Sequence, residues 1–166
     1  MNKGGHMGFL SGLFGNKNKY ELDDLTPEVK NDILDSLKEA ELIIIKYAGK
    51  LPVSKYDVNT LDLVFEKWND SKDPKKELDE DFVVALGAAL GQDIVNSLNC
   101  EWKIFTDKHG SELAVVHKTY HVFGFPYSSA RKACAGEKEK NYFQVLKQTI
   151  KEEIQEAERS GKVEER

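Results

Sequence analysis

The hydrophobic period changes from helical to strand between Leu86 and Pro126, and this change constrains the fold more than any other feature of the sequence. Up to about Leu98, apolar residues recur every three or four positions, which is the spacing of one buried helix face. After Asn99, apolar and polar residues alternate, as in a strand with one buried face. A helix that leads directly into a run of short strands predicts an α+β protein.

Turn residues divide the alternating region into three strands. Asp107 to Gly110 form a predicted hairpin turn, since the glycine tolerates the positive φ that such a turn requires. Pro126 cannot donate to a strand ladder, so the last strand ends before it. The predicted strands run from about 100 to 107, from 113 to 116 and from about 121 to 125. Together they predict a three-stranded antiparallel sheet.

Five helices flank this sheet in the prediction, in the order αααβββαα. The first has the clearest start, with Thr26 as a hydroxyl N-cap and Pro27 at the first helical position. Gly49 ends it as a left-handed cap. Ser128 or Ser129 is predicted to cap the fourth helix. The other predicted boundaries are about 59–69 for the second helix, about 79 for the start of the third, 136 for the end of the fourth and about 141–159 for the fifth.

Two glycines of the third helix, Gly87 and Gly91, are four residues apart and lie beside Ala88 and Ala89. A helix face of small residues predicts that another element approaches this helix closely. Phosphate-binding loops need their glycines at a strand-to-helix turn, so this pair does not indicate such a loop.

The chain length fits one domain with a buried core, because a chain of 166 residues buries about 70% of its unfolded surface. Residues 1–6 are predicted to be an expression leader, and residues 7–24 a tail that is flexible or loosely docked. Residues 25–160 form the predicted single α+β domain. Residues 161–166 are predicted to be a disordered C-terminus.

The formal net charge of −5 is unevenly distributed. Residues 1–20 contain three lysines and no acid, so the remaining residues carry −8. A body of this charge repels phosphate backbones, which disfavours nucleic acids as partners, and it suits a basic protein partner. The sequence shows no secretory signal pattern and its two cysteines lack CxxC spacing, which predicts a cytoplasmic protein with free thiols.

The side chains that could carry chemistry form no catalytic set in the sequence. His117 and His121 could face each other across two strands and bind a metal with Cys100 or Cys134, but they lack HExxH spacing. Asp107 is predicted to accept hydrogen bonds from the amides of its turn. The prediction is therefore no catalytic residue, no metal site and no cofactor.

The aromatic residues around the last strand are predicted to offer an interaction surface. Strand alternation places some of Tyr120, Phe123 and Tyr127 on the outer side, and exposed aromatic side chains commonly anchor protein interfaces. Asp107 and His109 of the hairpin turn are predicted to belong to the same surface.

Residues 82–132 also resemble a bacterial family of domains of unknown function. The shared pattern is a helix with two Leu-Gly pairs, a tryptophan before a strand, an Asp-x-x-Gly turn, an apolar strand and a Phe-Pro-x-Ser segment followed by a basic residue. In this sequence these are Leu86-Gly87, Leu90-Gly91, Trp102, Asp107 with Gly110, residues 113–115, Phe125-Pro126-Tyr127-Ser128 and Lys132. The resemblance implies a fold, and it implies no activity because none is established for that family.

Three functions remain open from the sequence. The first is a non-catalytic interaction protein of the bacterial cytosol, for instance an immunity or adaptor protein that binds a basic partner. The second is a small enzyme or ligand-binding protein with a pocket near Trp102, Asp107 and Pro126. The third is a peripheral membrane protein with an apolar N-terminal tip. The residues of that tip are Phe9, Leu10, Leu13 and Phe14.

Overall fold

The computed structural model describes residues 20–136 and 141–161. Within these ranges the chain forms five helices and an antiparallel sheet, which confirms the predicted α+β class. The helices are α1 (Pro27–Ala48), α2 (Val58–Asp70), α3 (Asp79–Ser97), α4 (Pro126–Cys134) and α5 (Tyr142–Ser160). The strands are β1 (Glu21–Asp23), β2 (Cys100–Asp107), β3 (Gly110–His117) and β4 (Phe123–Gly124).

Several predicted features lie outside the described residues. They are the leader at residues 1–6, residues 7–19 of the tail and residues 162–166 of the C-terminus. The apolar tip with Phe9, Leu10, Leu13 and Phe14 also lies outside. In the two described ranges, no helix combines the length and the apolar character needed to cross a membrane.

The ends of α1 match the signals in the sequence. The Thr26 hydroxyl accepts a hydrogen bond from the Val29 amide at 3.3 Å, and Pro27 occupies the first helical position. Gly49 follows the helix at φ +84° and donates its amide to the Ile45 carbonyl. This left-handed conformation costs glycine little because it has no Cβ atom. Both predicted caps are confirmed.

The sheet has the strand order β1-β2-β3-β4, so it contains four strands where the sequence predicted three. The additional strand, β1, pairs Leu22 with Phe105 of β2. It lies within residues 7–24, which the sequence assigned to the tail. The sequence did not predict this strand, because three residues are too few to show a strand period. Residues 21–23 therefore belong to the sheet.

The last strand is shorter than predicted, because β4 contains only Phe123 and Gly124. Before it, the Val122 amide donates to the Tyr120 carbonyl, and the His117 amide donates to the Val122 carbonyl. These bonds close a tight turn directly after β3. The chain therefore enters the β3–β4 ladder only at Phe123.

The two faces of the hairpin formed by β2 and β3 pack into two separate cores. One face, which includes Trp102 and Val115, packs against the helices as part of the main core. On the opposite face Tyr20 stacks on Phe105, with the ring centroids 5.2 Å apart. The other members of this second core are Leu22, Ala114, Val116, Phe123 and Phe125. Alternate side chains of β2 and β3 thus pack into two different cores.

The small-residue face of α3 receives two aromatic side chains. A Cβ atom at Gly91 would lie 2.0 Å from Trp102 Cη2, and a Cβ atom at Gly87 would lie 2.8 Å from Tyr127 Cδ1. Neither distance is compatible with a larger residue unless the aromatic side chain moves. The predicted close approach to α3 is confirmed.

Helix α4 begins at Pro126 and has no side-chain cap, so the prediction that Ser128 or Ser129 caps it is wrong. Proline is suited to the first helical position, since its missing amide hydrogen has no partner to lose there. The Ser128 hydroxyl instead donates to Glu112 Oε2 of β3 at 2.6 Å. Ser129 is buried within α4.

Helix α5 is held by two buried carboxylates from other helices. Asp62 of α2 accepts hydrogen bonds from the amides of Phe143 and Gln144 at 3.0 and 3.1 Å, so it caps the first turn of α5 from outside. Asp93 of α3 pairs with Lys147, whose Nζ lies 2.6 Å from Oδ2. Sequence reasoning missed both carboxylates, because their partners are distant in the chain.

Candidate functional site

A groove runs along α1, between this helix, α3 and the distal half of the hairpin formed by β2 and β3. It consists of two adjoining cavities of about 360 and 670 Å³, which share Ser36 and Val84. We call it the α1 groove. Helix α1 lines it with Val29, Asp32, Ile33, Asp35, Ser36, Lys38, Glu39 and Ile43. The other lining residues are Glu77, Asp81, Val84, Ala85, Ile104, Ser111, Glu112, Leu113 and Tyr127.

One face of α1 supplies a continuous wall of this groove. Asp32, Ser36, Glu39 and Ile43 recur at intervals of four, three and four residues, so they lie one above another along the helix. Ile33 and Ile43 are buried, whereas Asp32 and Glu39 are exposed. The wall therefore has an apolar base and an acidic rim.

Negative charge predominates in the α1 groove, because six carboxylates and one lysine line it. Three of these carboxylates have partners. The pairs are Asp35 with Lys38, Glu77 with Lys46, and Glu112 with the Ser128 hydroxyl. Within the described residues, the side chains of Asp32, Glu39 and Asp81 form neither an ion pair nor a hydrogen bond.

Helix stability explains the position of one of these three carboxylates. Asp81 lies in the first turn of α3, where the positive end of the helix dipole stabilises an acid. Asp32 and Glu39 lie further along α1, beyond its first turn, where the dipole contributes little. Their positions at the rim of the groove are therefore unexplained by helix stability.

Tyr127 of α4 is held in one orientation at the groove. Its ring and Cα press against Gly87, and its ring centroid lies 6.0 Å from that of Trp102 at an angle of 48°. Burial raises the pKa of Tyr127 to about 12, while the Ser36 hydroxyl opposes the shift and the Asp32 carboxylate adds to it. The phenol is therefore protonated at neutral pH.

The structure does not bring the five residues of the predicted interaction surface together. Tyr127 lines the α1 groove, whereas Phe123 is buried in the second core on the opposite face of the sheet. Tyr120 stacks on a neighbouring histidine ring. Asp107 accepts a hydrogen bond from the His109 amide at 2.7 Å, which confirms its predicted role in the turn. His109 is exposed at the tip of the hairpin.

The prediction that His117 and His121 could face each other across two strands is wrong. His117 lies opposite Cys100 in the β2–β3 ladder, and its Nδ1 accepts hydrogen bonds from two amides of the following turn. His121 lies in that turn, beside the Tyr20 hydroxyl. Among residues 20–136 and 141–161, no group of three or more histidines, cysteines or acids is arranged to hold a metal ion.

The surroundings of the two cysteines disfavour their thiolate forms. Burial raises the pKa of the Cys100 thiol to about 12 and that of the Cys134 thiol to about 11. Both thiols are therefore protonated at neutral pH, and a thiol is a much weaker nucleophile than a thiolate.

The predicted pocket near Trp102, Asp107 and Pro126 does not unite these three residues. Trp102 and Pro126 both pack against Gly91 of α3. Asp107 lies at the other end of β2, five residues beyond Trp102 and roughly 16 Å away along the strand. The tryptophan and the proline therefore serve the contact with α3, and the aspartate serves the hairpin turn.

Sequence reasoning did not identify the α1 groove. The available signal was the seven-residue spacing of Asp32 and Glu39 on the polar side of α1, and a solvated helix face has the same pattern. The remaining parts of the groove come from α3, the hairpin and α4, which only the folded chain brings beside α1.

Residues 57–154 match the model of a family described as a domain of unknown function (DUF3806). This range is more than half of the chain. The chain belongs to this family. The DUF3806 match confirms the predicted resemblance to a family of domains of unknown function. The matched range begins at the N-cap of α2 and ends within α5. Helix α1 precedes the matched range, so the acidic wall of the groove lies outside it.

The fold is also similar to that of a protein from Bacteroides thetaiotaomicron VPI-5482, whose crystal structure was determined at 1.50 Å resolution. The two chains are 15% identical, with a TM-score of 0.60 over 85% of this chain and 49% of that chain. This DUF3806 chain thus spans about half the length of the other protein. At this identity the similarity concerns the fold alone. No curated protein matches the sequence.

Proposed function

We propose that this DUF3806 protein is a non-catalytic interaction protein of the bacterial cytosol, which binds a basic segment of a protein partner in the α1 groove. The most specific form of the proposal is an immunity or adaptor protein. One observation carries it: Asp32 and Glu39 are exposed at the rim of a partly apolar groove, without ion pairs among the described residues.

A basic segment that also contains apolar residues complements this groove. Ile33, Ile104 and Leu113 offer apolar surface inside it. The aliphatic stems of lysine and arginine can cover such a surface while their charged heads reach the carboxylates at the rim. Apolar contact then supplies most of the affinity, and charge supplies orientation and a faster encounter.

The overall charge supports the same class of partner. The net charge of −5 repels acidic proteins and nucleic acids at long range, and it attracts a basic partner. The attraction is screened at high ionic strength, because the Debye length falls from about 10 Å at 0.1 M salt to about 3 Å at 1 M.

Binding of designed peptides tests the proposal. The probe is a short fluorescent peptide in which lysine alternates with leucine, and its counterpart carries glutamate in place of lysine. We expect only the basic peptide to bind, with an affinity that falls as salt is added. The double substitution Asp32→Asn and Glu39→Gln should weaken binding by about tenfold, the size expected for two charge contacts at an interface rim. Fluorescence anisotropy measures both effects.

A second double variant provides the matched control. Glu21→Gln and Glu158→Gln remove the same charge from exposed carboxylates outside the groove. We expect this variant to bind the basic peptide nearly as well as the wild type. An equal loss of affinity in both double variants would show that the peptide responds to net charge alone, and would contradict the proposal.

A further inference from the structure

We propose that the α1 groove selects arginine over lysine, and that Tyr127 is the residue that determines this specificity. The inference rests on the proposed function, since it concerns the basic side chain that the groove receives. It is carried by one cavity that both the Tyr127 ring and the Asp32 carboxylate line, the latter without an ion pair in the described part of the chain.

The ring of Tyr127 is immobilised before any partner arrives. Its Cα, Cγ and Cδ1 atoms lie against Gly87, so closely that a Cβ atom there would be within 3.0 Å of each. Trp102, itself pressed against Gly91, supports the ring from the β2 side. A fixed aromatic ring that lines a groove loses little conformational entropy when a planar group stacks on it.

Asp32 provides the second half of the proposed contact. It lines the same cavity as Tyr127, and its side chain is exposed. Ser36, one helical turn further along α1, lines the same cavity, and its hydroxyl donates to the Asp32 backbone carbonyl at 2.7 Å. A cation that stacks on the ring inside this cavity therefore has a carboxylate and a hydroxyl among the groups that line it.

Guanidinium and ammonium groups use such a site differently. The guanidinium of arginine is planar and weakly hydrated, stacks on aromatic rings and can donate two parallel hydrogen bonds to one carboxylate. The ammonium of lysine is compact and strongly hydrated, and it cannot make the stacked, two-bonded arrangement. The combination of the Tyr127 ring and the Asp32 carboxylate thus favours arginine.

Two matched peptides test this inference. One alternates arginine with leucine, and the other alternates lysine with leucine. We expect the wild-type protein to bind the arginine peptide about fivefold more tightly, as a ring–guanidinium contact predicts. Tyr127→Phe keeps the ring face and should retain most of the preference, whereas Tyr127→Leu should bind both peptides equally. Thermal unfolding establishes that each variant is folded.

The ring resonances of Tyr127 give a second measurement, which is made on the wild-type protein and does not depend on whether a variant folds. We expect the arginine peptide to shift them in the NMR spectrum of the wild-type protein. Equal affinity of the wild type for both peptides, or unchanged ring resonances at saturation, would overturn the inference while leaving the proposed function intact. Failure of both peptides to bind would overturn the inference and the proposed function together.

Discussion

Two sets of carboxylates in this protein have opposite surroundings. Asp62 and Asp93 are each only 4% exposed, and both bind groups of α5. Asp32 and Glu39 are exposed on α1, and neither has an ion pair among the described residues. The fold gives the first set partners in α5, and among the described residues it gives the second set none.

This difference separates charges that hold the structure from charges that are available for binding. A buried carboxylate without a partner costs several kcal/mol, so each one must meet a cation or backbone amides in the folded chain. An exposed carboxylate has no such requirement, because water solvates it. The proposed function therefore rests on the acids of the groove that have no ion pair among the described residues, and not on the total number of acids.

The largest expected effect comes from removing the cation that pairs with Asp93. Lys147→Met leaves this carboxylate buried and uncompensated, so the free energy of unfolding should fall by about 3 kcal/mol. Urea unfolding measures the change. Lys151→Met, on the exposed side of α5, serves as the control and should change stability by less than about 0.5 kcal/mol.

A compensating variant completes this test. Asp93→Leu combined with Lys147→Met removes both charges and fills the site with apolar groups, so it should recover most of the lost stability. If the single and double variants were equally unstable, the ion pair would not be the cause of the loss.

Removal of the Asp62 carboxylate should have the next largest effect. Asp62→Ala leaves the amides of Phe143 and Gln144 without their acceptor at the start of α5, which should lower the free energy of unfolding by about 2 kcal/mol. Asp62→Asn retains one acceptor oxygen and should cost about half as much. An unchanged urea midpoint for Asp62→Ala would show that α5 does not depend on this cap.

The pH dependence of stability provides a smaller effect with a defined sign. Burial raises the pKa of Asp62 above its ordinary value of 3.8, and the two α5 amides oppose the shift only in part. The folded state therefore binds the Asp62 proton more tightly than the unfolded state does. The stability that this proton contributes is present below pH 3.8, and it is lost as the pH rises through the folded-state pKa.

We therefore expect the wild type to gain stability relative to Asp62→Asn as the pH falls from about 7 to about 4, by up to about 1 kcal/mol. Urea unfolding of both proteins at the two pH values measures this difference. A difference that shrinks on acidification would mean that the hydrogen bonds from α5 outweigh the burial of the carboxyl group.

The smallest expected effect on stability belongs to the groove carboxylates. Asp32→Asn with Glu39→Gln should change the free energy of unfolding by less than about 0.5 kcal/mol, because neither side chain has a partner to lose in the described structure. Urea unfolding of this double variant is the measurement. A loss comparable to that of Lys147→Met would assign these acids to the structure and remove the contrast between the two sets.

Much of the fold could be predicted from short-range signals. The caps of α1, the hairpin turn at Asp107 and the change of period after Asn99 each depend on a few neighbouring residues. Strand β1 could not be predicted in the same way, because its three residues form a strand only when β2 lies beside them. The same applies to β4, whose start depends on the turn after β3.

The candidate site was less predictable than the fold. Tyr127 was predicted to lie on an interaction surface and does line the α1 groove, but the other members of that predicted surface lie elsewhere. Strand alternation assigns a side chain to one of two faces, and it cannot tell whether a face is covered. The second core around Tyr20 and Phe105 covers the face on which Phe123 was expected to be exposed.

By itself the sequence determined the α+β class, the ends of α1, the hairpin turn and the close approach of another element to the small-residue face of α3. These follow from backbone preferences and side-chain spacing, which act over a few residues and do not require the rest of the molecule. Only the tertiary structure decided which carboxylates bind groups of α5 and which ones along α1 have no partner among the described residues. That distinction depends on contacts between residues far apart in the chain, whose energies exist only after the helices and the sheet have packed.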